Sequence, residues 1–277
     1  MVRPRQLSTS VIAARSAGPL EALARAGLAA RGFTYVVISI LAAQIALGGA
    51  APSADQTGAI EAVAAQPFGR VLLILLAFGF AAYALWRWSV AALGGRAGAG
   101  ESSTKRVARR IGAFATGVVY GGLCLTSIRV VAGRSATSST QRQQSTTAWL
   151  LGLPMGRVLV LAIGIAAGIG GVVLAWWALS RKFERHLDAA KMAALVRRWA
   201  TGLGVAGHSA GAVLLFLVGV FVIQAADTNN PTAVKGLDQS LRAFAGAPFG
   251  RFLVLAIALG LAAYGLYSFV EARYRRV

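Results

Sequence analysis

The chain has 277 residues, of which 57% are hydrophobic and only 13% are charged. Soluble globular domains carry about 25% charged residues, so this composition excludes an ordinary soluble fold. The net charge of +19 would suit a nucleic-acid-binding protein, but the cations fall between apolar runs of about 20 residues, the length that crosses a bilayer. We therefore expect anionic lipid headgroups as partners and no nucleic acid. The single cysteine, Cys124, excludes an intramolecular disulfide and a cysteine-built metal site.

The apolar runs predict six transmembrane helices in an all-α protein. Backbone polar groups in lipid must be bonded within their own segment, so runs of this length are helices. We expect a disordered basic cytoplasmic tail at 1–20, followed by three tandem repeats of two helices each. Repeat 1 spans 21–93 with helices at 27–47 and 70–93, repeat 2 spans 94–180 with helices at 111–133 and 157–180, and repeat 3 spans 181–277 with helices at 203–226 and 251–271.

A four-residue motif, Pro-x-Gly-Arg, marks the second helix of each repeat. Its copies are 87 and then 94 residues apart, and sixteen residues after their prolines stand Tyr83, Gly170 and Tyr264. Two crossings per repeat give all three repeats one orientation, so we expect a bundle with a pseudo-threefold axis along the membrane normal. The motif residues are Pro67, Gly69 and Arg70; Pro154, Gly156 and Arg157; and Pro248, Gly250 and Arg251.

A short helix is predicted just before each motif. Leu237, Leu241 and Phe244 share one helical face, which favours a helix lying in the outer interface. The proline would then occupy the first turn of the next helix, the glycine would allow a close backbone turn, and the arginine would extend to the headgroups. The alternative is an outer anion or lipid-phosphate site that the three motif arginines form around the axis.

The distribution of Lys and Arg predicts the orientation. Eighteen of them lie in the tail, in the loops 94–110 and 181–202 and at the C-terminal end, against seven in the loops 48–70, 134–157 and 227–251. Cytoplasmic loops are enriched in Lys and Arg, so both termini are expected in the cytoplasm.

Two short patterns suggest catalysis but lack the context that it needs. Gly207-His208-Ser209-Ala210-Gly211 matches a nucleophile elbow, which requires a preceding strand and a later histidine, and no histidine follows His208. The overlapping Gly202-x-Gly204-x-x-Gly207 matches a dinucleotide fingerprint, but a basic membrane flank precedes it instead of a strand. We expect no enzymatic activity, no catalytic residue, no cofactor and no metal site.

Four polar residues within the predicted spans are candidate functional residues, namely Arg31, His208, Gln44 and Gln224. Arg31 and His208 have matching depths, so a neutral His208 beside Arg31 is a candidate proton-linked gate. The alternative is an interfacial histidine that headgroups or a neighbouring helix satisfy. The two glutamines favour hydrogen bonds between helices. Arg87, in a last helical turn, is interpreted as extending to the headgroups.

The residues of repeat 1 resemble a known family. The resemblance covers about residues 20–273 and is to the bacterial membrane family catalogued as domain of unknown function 1206. The resemblance implies three pairs of transmembrane helices. It implies no activity for this chain, because the family has no established one. Repeat 2 departs most, with Gly170 in place of the tyrosine, and repeat 3 has His208 after its glycine. The matching pattern is Ala30-Arg31-Gly32-x-x-Tyr35, then Pro67-Phe68-Gly69-Arg70, then Ala82-Tyr83-x-x-Trp86-Arg87.

These features favour a non-enzymatic structural or interaction component of a bacterial plasma membrane that binds anionic lipid at its basic loops. A membrane protein is a further candidate partner. The alternative is a transporter or channel for a small solute, ion or lipid, with its path along the repeat axis. A cavity that Arg31, His208 and the glutamines face would favour transport, whereas a packed, dry centre would favour the structural role.

Overall fold

The structure, a computed structural model, describes residues 5–49, 53–94, 103–188 and 192–275. These residues form nine α-helices and two short 3-10 helices, at Lys182–His186 and Pro231–Ala233. The α-helices are α1 Arg5–Ala46, α2 Gln56–Ala64, α3 Gly69–Leu93, α4 Ser103–Val131, α5 Ser139–Leu151, α6 Gly156–Leu179, α7 Ala194–Asp227, α8 Leu237–Ala245 and α9 Gly250–Tyr274.

Six of these helices are long and apolar enough to cross a bilayer: α1, α3, α4, α6, α7 and α9. Repeat 1 contains α1 and α3, repeat 2 contains α4 and α6, and repeat 3 contains α7 and α9. We call the end of the bundle where α3, α6 and α9 begin the motif end, and the opposite end the basic end.

The predicted helix boundaries lie within two residues of the observed ones at the motif end, whereas at the basic end α1, α4 and α7 begin well before the predicted residue and α9 ends three residues after it. The helices predicted at 70, 157 and 251 begin one residue earlier, whereas α4 begins at Ser103 and α7 at Ala194. Arginine has a high helix propensity, and its long side chain can place the charged group in the headgroup layer or in water. The helices can therefore continue beyond their apolar runs.

Parts of several predicted segments lie outside the described residues, among them residues 50–52 of the loop 48–70, residues 189–191 of the loop 181–202 and residues 276–277 of repeat 3. α1 begins at Arg5, inside the predicted disordered tail 1–20, and residues 1–4 of that tail are not described. Residues 95–102 of the predicted basic loop 94–110 are not described either.

The repeats pack on one another through one helix pair at each junction. α3 packs on α4, α6 on α7, and α9 returns to pack on α1. Within repeats 1 and 3, α1 packs on α3 and α7 on α9. Over their described lengths, α4 and α6 of repeat 2 have at most a marginal contact. The six helices therefore form a ring that is open between α4 and α6.

A glycine and a tyrosine hold the closed repeats together. A β-carbon added at Gly27 would fall 2.4 Å from the Tyr83 Cβ, and one at Gly207 would fall 2.6 Å from the Tyr264 Cα, so only glycine allows these approaches. Repeat 2 lacks this contact. Gly112, which like the other two glycines stands 40 to 42 residues before its motif proline, has no atom within 4 Å of an added β-carbon. Gly170 takes the place of the tyrosine.

The Pro-x-Gly-Arg motif is a tight turn between a short helix and a membrane helix. Its second residue adopts the left-handed conformation, with φ of 63° at Phe68, 61° at Met155 and 59° at Phe249. The glycine that follows is the first helical residue, and a β-carbon at Gly69 would fall 2.3 Å from the Val63 carbonyl oxygen. The close turn at glycine is thus as predicted. The proline, however, lies two residues before the helix rather than in its first turn.

Candidate functional site

A polar chamber of about 550 Å³ lies inside the ring of helices. All six membrane helices and the N-terminal residue of α2 contribute to its wall, which contains three arginines and one glutamate. The polar and aromatic side chains that line it are Arg31, Tyr35, Gln56, Tyr83, Arg87, Thr116, Tyr120, Trp177, His208, Tyr264, Glu271 and Arg275.

A larger groove, of about 700 Å³, lies along the outer face of α1 and α3. Every residue that lines it is apolar, for example Phe33, Leu75 and Phe78. The groove therefore offers an apolar surface only, and the chamber is the candidate functional site.

The central feature of the chamber is a buried ion pair between α1 and α9. The Nη2 of Arg31 pairs with the Oε2 of Glu271, and the two residues are only 8% and 7% exposed. Arg31 also donates from Nε to Ser268 Oγ and from Nη1 to the Tyr83 hydroxyl, both at 3.2 Å. Its guanidinium lies 5.2 Å from the centre of the Tyr264 ring, a cation–π distance. Arg31 is thus held by the helices of repeats 1 and 3.

Ser268 and Glu271 can both bind Arg31 because they are three residues apart on one face of α9. The second carboxylate oxygen of Glu271, Oε1, accepts a hydrogen bond of 2.7 Å from Arg275, four residues further along the same helix. The guanidinium of Arg275 lies 4.9 Å from the centre of the Trp86 ring of α3. One carboxylate therefore serves two arginines, and the chamber keeps an excess of positive charge.

Arg87 supplies the third positive charge. Its Nη2 donates to Thr116 Oγ1 of α4 at 3.2 Å and lies 3.4 Å from the Gly112 carbonyl oxygen. Its Nε is buried and has no hydrogen-bond partner among the described residues. We interpreted Arg87 as extending to the headgroups, but the structure places it across the chamber wall, because its side chain turns from α3 towards α4.

His208 lies in a cluster of aromatic rings at the basic end of the chamber. Its ring centre is 5.1 to 5.3 Å from those of Trp177, Phe183, Tyr264 and Tyr267. Its Nδ1 lies 2.7 Å from the Gly204 carbonyl oxygen. A carbonyl only accepts hydrogen bonds, so Nδ1 carries the proton of the neutral ring and Nε2 is the atom that would take up a second one.

The basic end is closed by the segment between α6 and α7. Phe183, from the 3-10 helix at Lys182–His186, is 1% exposed and stacks on His208. The segment is fixed by the Asp188 amide, which donates to the Tyr274 carbonyl at 2.8 Å, and by a bond of 2.7 Å from Thr201 Oγ1 to Glu184.

The motif end is covered by linked short helices. α2 places Gln56 against the Tyr35 hydroxyl inside the chamber. Asp238 of α8 accepts a hydrogen bond of 2.8 Å from the Ala54 amide just before α2, and Arg142 of α5 donates to Thr57 of α2 at 2.9 Å. All three loops of the motif end therefore contribute to one cover.

The α2 cap is itself buried. Asp55 accepts a hydrogen bond of 2.8 Å from the Gly58 amide, which is the usual N-cap arrangement. Burial raises the pKa of the Asp55 carboxyl, and this outweighs the opposing effect of its hydrogen bonds.

The comparisons with known proteins match this organisation. The model of the family described as Domain of Unknown Function (DUF1206) matches the chain three times, over residues 26–104, 111–181 and 206–275. The chain belongs to this family. The matched segments correspond to the three repeats, each with its two membrane helices.

One relative of this DUF1206 chain is the uncharacterised protein YxxB of Bacillus subtilis (strain 168). The two are 27% identical over 258 residues, which cover 93% of this chain and 92% of the relative. No solved structure matches the chain.

The chamber brings together only some of the residues that the sequence singled out. Arg31 and His208 both line it, whereas Gln44 and Gln224 are exposed away from it. The motif arginines Arg70, Arg157 and Arg251 are exposed at the motif end, where Arg157 pairs with Asp227 at 3.3 Å.

Sequence reasoning missed the acidic member of this DUF1206 site. The last span is predicted at 251–271 and so ends at Glu271, but α9 continues to Tyr274 and the carboxylate is buried. The signal was available, because an arginine inside a membrane helix needs an anionic or carbonyl partner. Within the described residues, no group of three or more His, Cys, Asp and Glu side chains is placed to hold a metal ion.

Proposed function

We propose that this protein is a non-enzymatic transporter that binds a small solute, ion or lipid in the central chamber and moves it along the axis of the ring. One observation carries the proposal. A ring of apolar helices encloses a chamber whose wall holds ionisable side chains from α1, α3, α7 and α9. Ionisable groups inside a membrane are costly and are characteristic of substrate and ion pathways. A purely structural component would not need such a chamber.

The arrangement of the repeats supports a path along an axis. Each repeat packs on both of the others, through the pairs α3–α4, α6–α7 and α9–α1. This cyclic pattern is the one that a pseudo-threefold axis along the membrane normal would produce. The chamber lies where such an axis would pass.

Both ends of the path are covered, so we infer that the structure is a state in which the chamber is closed towards water at both ends and open towards the bilayer between α4 and α6. The cover at the motif end consists of α2 with its links to α5 and α8, and the cover at the basic end consists of Phe183 on His208. Transport requires these covers to open in turn. The Arg31–Glu271 pair next to His208 is the element whose charges a bound solute or a proton would redistribute.

We also propose that both termini lie in the cytoplasm of a bacterial cell and that the basic end contacts the anionic inner leaflet of the plasma membrane. Each cation near such a surface contributes about 1 kcal/mol of attraction. Among the described residues, the exposed cations of that end are Arg25, Arg106, Arg110, Arg181, Lys182, Arg197, Arg198 and Arg273. This surface supports lipid binding as a second role, which a structural component would share.

Solvent access to the chamber tests the proposal. In a Cys124→Ser background, a cysteine replaces Ala115, which lines the chamber, or Leu259, which is 65% exposed on the outside of α9. We expect a charged thiol reagent added to membrane vesicles to label Ala115→Cys and to leave Leu259→Cys unlabelled. Equal protection of both cysteines from both sides of the membrane would contradict a transport path.

A further inference from the structure

We propose that the chamber receives the phosphate group of an anionic phospholipid, bound between Arg87 and Arg275, while the acyl chains leave through the opening between α4 and α6. This inference rests on the proposed function and names the class of its substrate. It is carried by two independent observations, the charge inside the chamber and the gap in its wall.

The charge observation is the imbalance between three arginines and one glutamate. Arg31 has Glu271, Ser268 and Tyr83 as partners, and Arg275 shares Glu271. Arg87 makes no ion pair among the described residues, and its buried Nε has no hydrogen-bond partner. A buried donor without a partner is costly, so an anion bound here would stabilise the site by accepting a hydrogen bond from it.

The geometry of these arginines suits one anionic group. The guanidinium groups of Arg87 and Arg275 lie 5.8 Å and 4.9 Å from the centre of the same Trp86 ring. Both side chains also line the same chamber. Arginine binds phosphate through paired N–H groups, so a phosphate in this part of the chamber would have two candidate arginine partners.

The gap observation identifies where the ligand comes from. Ala115 and Val119 of α4 line the chamber and are nevertheless exposed, because α6 does not cover them. The outward surface of α6 beside the gap is apolar, with Ile169, Val172 and Val173 about 60% exposed. A solute from water would need no side opening. A lipid needs one, since its chains stay in the bilayer while its headgroup enters the chamber.

Gly112 marks the gap. The corresponding glycines of repeats 1 and 3 face the partner helix of their own repeat, whereas Gly112 faces open space. A large side chain at this position would enter the opening and leave the closed repeats untouched. This provides a variant that blocks lipid entry without removing a charge.

Native mass spectrometry of the full-length protein in a mild detergent tests the proposal, with phosphatidylglycerol, phosphatidylcholine and inorganic phosphate as separate probes. We expect a saturable phosphatidylglycerol adduct that binds at least about tenfold more weakly in Arg87→Gln, as loss of a charged hydrogen bond predicts. Arg134→Gln, which removes an exposed cation of the loop between α4 and α5, should bind as the wild type does. Equal binding by the wild type and Arg87→Gln would overturn the proposal.

A second pair of variants distinguishes a lipid from a free anion. Gly112→Phe should lose most of its phosphatidylglycerol binding, and Ile128→Phe, on the exposed opposite side of α4, should keep it. If inorganic phosphate binds as tightly as the lipid, or if Gly112→Phe binds lipid normally, the ligand does not enter from the bilayer. A chamber that thiol reagents reach but that binds no phosphatidylglycerol would overturn this inference and leave the proposed transport function standing.

Discussion

Repeats 1 and 3 are closed, whereas repeat 2 is open, although all three share the same helices and the same motif. In the closed repeats the two helices meet through Gly27 with Tyr83 and through Gly207 with Tyr264. In repeat 2 a glycine, Gly170, replaces the tyrosine, and α4 stands apart from α6. The comparison shows that the repeat in which glycine replaces the tyrosine is also the repeat where the chamber opens towards the bilayer.

The charged side chains of the chamber also differ between the two closed repeats and the open repeat. The positions four residues after the corresponding glycines are Arg31 in repeat 1, Thr116 in repeat 2 and Gly211 in repeat 3. Only the first carries a charge, and its carboxylate partner, Glu271, comes from repeat 3. The ion pair therefore fastens the two closed repeats together, and repeat 2 contributes a hydroxyl that binds Arg87.

The largest expected effect comes from breaking this link between the closed repeats. Glu271→Ala leaves Arg31 buried without its anion, which we expect to lower the free energy of unfolding by about 3–5 kcal/mol. Asp227→Ala breaks the Arg157 pair, whose side chains are 63% and 78% exposed, and should cost less than about 1 kcal/mol. Denaturant titration in detergent measures both values. Similar losses for the two variants would show that the Arg31–Glu271 pair does not fasten the repeats.

A smaller effect should separate the closed repeats from the open one. Gly27→Ala places a methyl group against the Tyr83 backbone and side chain, so we expect a loss of about 1–3 kcal/mol from overpacking. Gly112→Ala meets open space and should gain up to about 1 kcal/mol, because alanine favours helix more than glycine does. Thermal unfolding in detergent compares the two. Equal destabilisation would mean that α4 and α6 are packed as closely as α1 and α3.

The smallest expected effect concerns the cover of the motif end. The pKa of the Asp55 carboxyl is raised by burial, so the folded state holds this proton more tightly than the unfolded state does. The stabilisation that this proton gives is complete at pH values below the pKa of Asp55 in the unfolded state. It is lost as the pH rises through the higher pKa that Asp55 has in the folded state. We expect α2 to become less protected over this window, as hydrogen exchange corrected for intrinsic rates would measure.

One control sharpens the pH experiment. Asp55→Asn keeps an N-cap side chain and removes the charge, so the pH dependence of α2 should disappear. A pH response in the variant equal to that of the wild type would locate its cause elsewhere.

The fold was predictable where local patterns determine it. The apolar runs predicted the six spans. The recurring Pro-x-Gly-Arg motif predicted the three repeats and the residues at which α3, α6 and α9 begin. The short helix α8 followed from the spacing of Leu237, Leu241 and Phe244. These features depend on neighbouring residues, so a single sequence contains them.

The candidate site was only half predictable because long-range contacts build it. Arg31 and His208 were apparent as ionisable groups in apolar runs. Glu271 was not, since its partner lies 240 residues away and its depth depended on one further turn of α9. The direction of the Arg87 side chain and the separation of α4 from α6 are properties of tertiary packing, and no spacing rule encodes them.

A cryo-electron microscopy structure of the protein in phosphatidylglycerol nanodiscs, with a bound antibody fragment to increase its size, tests the central claim most directly. The account predicts that α4 and α6 stand apart, that phosphate density lies between Arg87 and Arg275, and that acyl-chain density continues through the gap. A structure in which α4 packs on α6 around a dry centre would contradict it.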